Sequence, residues 1–267
     1  MHPNGVVRFV LAILGVLVLS GGACDSDRDS STVGTAEMTA RFVARANASG
    51  VTKIVAELLV PGDLVLENVD LNGGDRLIAT KRDPGSIDGN DRVMVEHDDH
   101  VETSYGANFQ TGEQDTQIEI DFDRSASGQT DANGSSVTLP SPFALQWVSD
   151  PVALTPAPRF FSRSSATPYY VVWDPSGAPE FEAGDVLVYA VTGRCIQTLE
   201  GTIDWAGGED ALELTAALED ADPPQDDRGC PIRVEFTLQR PGTVAAAFAG
   251  GSFVGAQGRV LKLQTVP

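Results

Sequence analysis

The sequence predicts an all-β protein built as two β-sandwich-like domains. Three observations carry that expectation. Apolar and polar residues alternate with period two in several runs, turn signals rich in Gly, Pro, Asn and Asp separate those runs, and helical spacing is confined to one short stretch. Successive side chains of a strand point to opposite faces, so such alternation marks half-buried antiparallel strands.

The elements follow in chain order from Glu37. Ala40, Phe42, Ala44 and Ala46 alternate with Thr39, Arg41, Val43 and Arg45, and a turn at 47–50 leads to a second run through Thr52, Ile54, Ala56 and Leu58. Ile118, Ile120 and Phe122 alternate with Glu119, Asp121 and Asp123, and Ile232, Val234, Phe236 and Leu238 repeat the pattern late in the chain. Turn signals fall at 61–63, 72–75, 83–85, 88–90, 133–134 and 241–242, a pitch that suits a sandwich or barrel. The stretch 209–218 reads equally as a helix (Ala211, Leu214, Ala217, Leu218) or as a strand (Leu212, Leu214).

The first 23 residues read as a signal peptide. Arg8 supplies the basic start, Phe9 to Leu19 is an unbroken apolar run, and small residues follow. That run suits a signal core and falls short of the roughly 20 residues that span a bilayer. Export is therefore expected, with the fold outside the cytoplasm. Cys24 resembles the lipidated cysteine of bacterial lipoproteins: Gly22 and Ala23 fit the small residues before it, whereas Gly21 stands where Leu is usual. The alternative is cleavage at a neighbouring small residue, leaving a spare thiol. Counting favours lipidation. Of the three cysteines, Cys195 and Cys230 pair in an oxidising compartment, and a lipid on Cys24 accounts for the third.

Composition bounds the partners. The chain carries a net charge of −20, and removing the leader takes away Arg8 and no acid. Nucleic acid is thereby disfavoured as a partner. The polar residues 24–36 look like a flexible tether, 37–124 like an N-terminal β-domain, the Ser/Gly/Thr/Asn-rich 125–136 like a linker, and 137–267 like a C-terminal β-domain. The membrane, through Cys24, and a protein or glycan ligand in the envelope are the expected partners.

Several stretches resemble a group of uncharacterised exported β-rich, lipoprotein-like proteins of proteobacteria: Ser136–Phe143, Val171–Gly177, Gly193–Ile196, the ending around Gly250–Ser252, and Gly73–Ala79. The group has no assigned activity, so no functional residues carry over. The resemblance implies an immunoglobulin-like sandwich for the C-terminal domain. The antibody order Cys–Trp–Cys is absent, because Trp173 precedes both Cys195 and Cys230.

Motifs for chemistry are sparse. His97 and His100 lie with Glu96 and Glu102 in one acidic stretch, a candidate divalent-metal site set against a solvated charged loop. The acidic turns at 70–75, 83–91 and 220–227 offer oxygen ligands but match no EF-hand loop. Phe160, Phe161, Tyr169, Tyr170, Trp147 and Trp173 cluster in sequence, either as a binding surface or as core. No G-x-S-x-G occurs, and the two histidines remaining after the leader sit together. The expected role is a non-enzymatic binding or structural module without a required cofactor. The rival expectation is a carbohydrate- or ester-active hydrolase using paired carboxylates.

Overall fold

The computed structural model describes residues 27–62, 65–84, 89–98, 103–111, 116–125, 128–173, 181–203, 211–220 and 230–266. Among them are nineteen β-strands, three single-turn 3₁₀ segments and no α-helix. The first sandwich contains β1 (Arg28–Asp29), β2 (Thr39–Ala46), β3 (Val51–Pro61), β4 (Leu66–Asp70), β5 (Arg76–Arg82), β6 (Gly89–Val93), β7 (Val95–Asp98), β8 (Thr103–Gln110), β9 (Gln117–Asp123) and β10 (Ala132–Thr138). In one sheet β2 borders β3 on one side, while β4 and β8 share its other side. The second sheet runs β10–β9–β5–β6.

Burial follows the alternation read from the sequence. Ala40, Phe42, Ala44 and Ala46 of β2 and Ile118, Ile120 and Phe122 of β9 are buried, and their neighbours along the strands are not. These residues meet in one core with Ile54, Leu58 and Leu77. Each large apolar side chain buried this way contributes roughly 1.5–3 kcal/mol relative to exposure.

The expected tether is not free from Asp27 onward. β1 adds parallel to β4, and two 3₁₀ turns (Ser30–Thr32 and Thr35–Glu37) bury Ser30, Val33 and Thr35 against the sandwich. Arg124 is the clamp. Its guanidinium donates to the Ser30 carbonyl at 2.6 Å, the Val33 carbonyl at 3.1 Å and Thr35 Oγ1 at 3.1 Å. Its Nε lies 2.9 Å from Asp75 Oδ2, and the two side chains are 0% and 1% exposed. Asp75 also accepts from Ser30 Oγ and from the Ser125 backbone N–H. Polar composition suggested solvent, but these polar groups are satisfied by the fold itself.

The proposed linker 125–136 also ends in structure, since β10 begins at Ala132 and pairs with β9. Its register shifts between Ala132 and Ser135, and Gly134 lies there at φ +87°. A bulge inserts a residue and resets which positions face inward. Ala132, Ser135 and Val137 are the buried positions, so the period-two pattern breaks at the bulge and two of its inward residues are too small to mark it.

The second sandwich contains β11 (Leu145–Asp150), β12 (Thr155–Pro156), β13 (Phe160–Ser162), β14 (Tyr170–Trp173), β15 (Val186–Gly193), β16 (Leu199–Ile203), β17 (Ala211–Glu213), β18 (Cys230–Pro241) and β19 (Gly250–Val266). One sheet is β12–β11–β14–β17, and the other contains β16–β15–β18–β19 with β13 parallel to the end of β19. The second order matches strands C′–C–F–G of an immunoglobulin domain, and β11, β14 and β17 match A, B and E. The C-terminal half is thus an immunoglobulin-like sandwich. Cys195 and Cys230 form a disulfide with Cα atoms 6.0 Å apart. It joins the turn after β15 to the start of β18, within one sheet, rather than crossing between sheets as in antibodies. Trp173 is core: it is buried and its ring lies 5.8 Å from that of Phe236. The ambiguous stretch resolves as strand β17 followed by a 3₁₀ turn at Thr215–Ala217.

The last strand belongs to both sandwiches. Residues 250–257 of β19 pair in parallel with 39–46 of β2, while residues 264–266 pair with β13. Phe253 consequently sits in the first core and Leu263 in the second. Gly251 makes the first pairing possible: its φ is +146°, and a Cβ there would fall 1.9 Å from the Ala40 carbonyl oxygen.

Candidate functional site

Between these two pairings the outer edge of β19 is uncovered among the described residues, because β2 ends opposite Gln257 and β13 begins opposite Gln264. Hydrogen-bond direction alternates along β19. Phe253 accepts from Gly242 N–H on the β18 side, whereas Gln264 N–H donates to the Arg159 carbonyl on the other. By this parity Val260 and Lys262 aim their N–H and C=O groups at the uncovered edge. The Gly258 carbonyl is taken by Arg259 Nη1 at 2.9 Å.

That edge floors a groove of about 520 Å³, walled by Leu145, Trp147, Pro156 and Ala157 and rimmed by Arg159 and Arg233. Trp147 is a fixed wall rather than a mobile reader. It is buried, its Nε1 donates to the Pro158 carbonyl at 2.9 Å, and its ring packs 5.1 Å from Phe161. Beyond the groove β13 presents Phe160, 54% exposed, opposite Gln264.

The charge of the site runs against that of the chain. Arg233 and Lys262 are direct cross-strand partners, so two cations sit side by side on one face. Like charges in that position repel. Glu235 partly offsets them: it accepts from Arg233 Nη2 at 2.8 Å and pairs with Arg45 reaching over from β2. Partial burial pushes the Glu235 carboxyl up, but the Arg233 hydrogen bond and the Arg45 charge outweigh it and hold the group below the usual glutamate range. A carboxyl depressed on folding adds stability above its unfolded pKa, and that stability is lost as pH falls through the folded value. Wild type is therefore expected to be more thermostable than Glu235→Gln at pH 6. The gap should close below about pH 4, and thermal unfolding curves across that range check it.

The sequence-predicted sites fare unevenly. The Cys195–Cys230 bridge is present. Cys24, His100 and Glu102 lie outside the described residues. Glu96 and His97 are consecutive on β7, so their side chains leave opposite faces, both exposed, and the imidazole lies over Gly106. No cluster of three metal-ligating side chains occurs among the described residues. In the 70–75 turn Asp75 faces inward to Arg124, and Asp220 pairs with Arg163. Glu119, Asp121 and Asp123 line the outward face of β9, where Arg82 holds Glu119 at 3.0 Å and Arg76 holds Asp123 at 3.2 Å. Burial, opposed by the Gly134 N–H and reinforced by the two flanking acids, raises the Asp121 carboxyl. These acids form an open row on a sheet face. Of the aromatic cluster, Trp147, Phe161 and Trp173 are core and Phe160 is surface.

Val260, Lys262 and Arg159 were not legible as site residues. The alternation through 259–264 signals a strand, but which of its edges stays open depends on where β2 and β13 stop.

No family model and no curated protein matches the sequence. Among solved structures the chain is similar to the Yersinia pseudotuberculosis adhesin InvE, with 15% identity over 87% of this chain and 61% of that one, at a TM-score of 0.22. It is also similar to trypsin-activated alpha-2-macroglobulin from Escherichia coli, with 12% identity over 90% of this chain and 17% of that one, at a TM-score of 0.23. The chain spans less than two thirds of either. Likeness at these scores bears on neither ligand nor activity.

Proposed function

We propose that this chain is an exported envelope protein, lipid-anchored at Cys24, whose two sandwiches serve as a non-enzymatic binding or structural module. The groove along β19 carries the reading. It combines a strand edge that no described strand covers, a fixed apolar wall and a cationic rim on a protein of net charge −20. That combination suits docking of a partner, since an apolar wall, a cationic rim and an exposed strand edge are the elements that hold an added segment. The resemblance to exported lipoprotein-like proteins agrees with the anchor and the compartment.

Two measurements test it. Wild type is expected to take up labelled palmitate and fractionate with membranes, and Cys24→Ser to do neither. A photoreactive residue at Val260 is expected to give discrete adducts in intact cells, whereas one at Val152, 92% exposed and not among the groove's lining residues, gives none. Soluble, unlabelled wild type would overturn the anchor. Equal or absent adducts at both positions would overturn the binding module.

A further inference from the structure

We propose that the groove binds an extended acidic polypeptide segment, which adds as a strand to β19 between β2 and β13. The inference rests on the binding-module reading and names its partner class. The open window covers residues 258–263, about 20 Å of strand, enough for a ligand strand of roughly five or six residues. Val260 and Lys262 offer the alternating N–H and C=O groups that strand addition needs. The flanking strands cap both ends of the window, so the site takes a short segment and not a continuing sheet.

Charge selects the ligand. Arg233 and Lys262 face the same side as register partners, and Arg159 stands at the groove's rim. An acidic side chain placed over this face relieves the repulsion between the two cations. Strand pleating selects the rest. A strand laid on β19 turns alternate side chains to the Lys262 face and the others toward Leu261, Leu263 and the Trp147 wall. The favoured sequence therefore alternates acid with a β-branched or aromatic residue.

The competing explanation is that Lys262 merely guards an edge against aggregation, as edge lysines often do. The discriminating experiment uses the disulfide-intact full chain and a synthetic capped peptide, Thr-Glu-Val-Glu-Val-Glu-Thr, with binding read by fluorescence anisotropy. Saturable binding is expected, weakened about tenfold or more by the double variant Arg159→Glu, Lys262→Glu and by ~0.5 M salt. Two N-methylated peptides keep the test independent of any folding defect in the variant. Methyl groups on the amides that face β19 should abolish binding, while methyl groups on the intervening amides should change affinity by no more than about twofold. Three results would overturn the proposal: no saturation up to about 1 mM peptide, equal affinities for the two methylated peptides, or an unchanged affinity after charge reversal. Sedimentation showing dimers that the peptide cannot dissociate would assign the edge to a second copy instead, and would also overturn it. Adducts from Val260 in cells combined with failed peptide binding would leave the binding module standing and remove only the acidic-strand ligand.

Discussion

Arg124→Met is expected to lower the unfolding free energy by about 3–5 kcal/mol at neutral pH, because it leaves the Asp75 carboxylate buried without its cation. The side chains are 0% and 1% exposed, so water cannot replace the lost partner. The same substitution strips the donors from the Ser30 and Val33 carbonyls and from Thr35 Oγ1. Urea unfolding reads the loss, and hydrogen exchange should show the amides of residues 27–37 losing protection first. The double variant Arg124→Met, Asp75→Asn removes both charges and should recover part of the loss, because a neutral amide costs far less to bury than a lone carboxylate. A loss below about 1 kcal/mol in the single variant would mean that the clamp is ornamental to the fold.

Breaking the Cys195–Cys230 bridge comes next in size. The residues are 35 apart in sequence, and closing a loop of that length stabilises by about 3–4 kcal/mol through the entropy of the unfolded chain. Both sulfurs are buried at the end of the second sandwich, so the double variant Cys195→Ala, Cys230→Ala also leaves a small void there. The urea midpoint of that variant, with and without reductant, gives the measurement. Wild type should fall most of the way toward the variant's midpoint on reduction, stopping short by the cost of the variant's void, and the variant itself should not respond. If reduction left wild type unmoved, the bridge would be stabilising nothing that the strands do not already hold.

The sequence spoke clearly where one face of a strand is buried and the other wet. In β2, β9 and β18 the inward positions are apolar except for Arg240 and the outward ones are mostly polar, with Val43 the exposed exception on β2, so the period is still readable. β10 was missed because its bulge at Asn133 and Gly134 shifts the inward positions and because those positions hold Ala132 and Ser135. The segment 27–37 was missed for a different reason. Its polar residues are bound by Arg124 and Asp75, which lie far along the chain, and no local pattern announces such a contact. The split at 125–136 overlooked that β19 returns to pair with β2, a parallel contact between the two ends of the fold. The disulfide was accessible because counting thiols needs no geometry. The groove was not, since an edge is defined by the strands that fail to cover it.

The parallel seam between β2 and β19 also sets how the molecule bears a pull. A chain held through its N-terminus and gripped along residues 258–263 is stretched from the N-terminal side of β2 and the C-terminal side of β19. In a parallel pair these ends lie at opposite extremities, so the tension runs along the strands and loads the ladder in shear. The contacts from Thr39 opposite Gly250 to Ala46 opposite Gln257 must then give way together, where peeling would release them one at a time. Glu235, reached by Arg45 across the seam, ties β18 into the same line. Among the described residues, β19 is the strand shared by both sandwiches, and a pull applied in this way would pass through it.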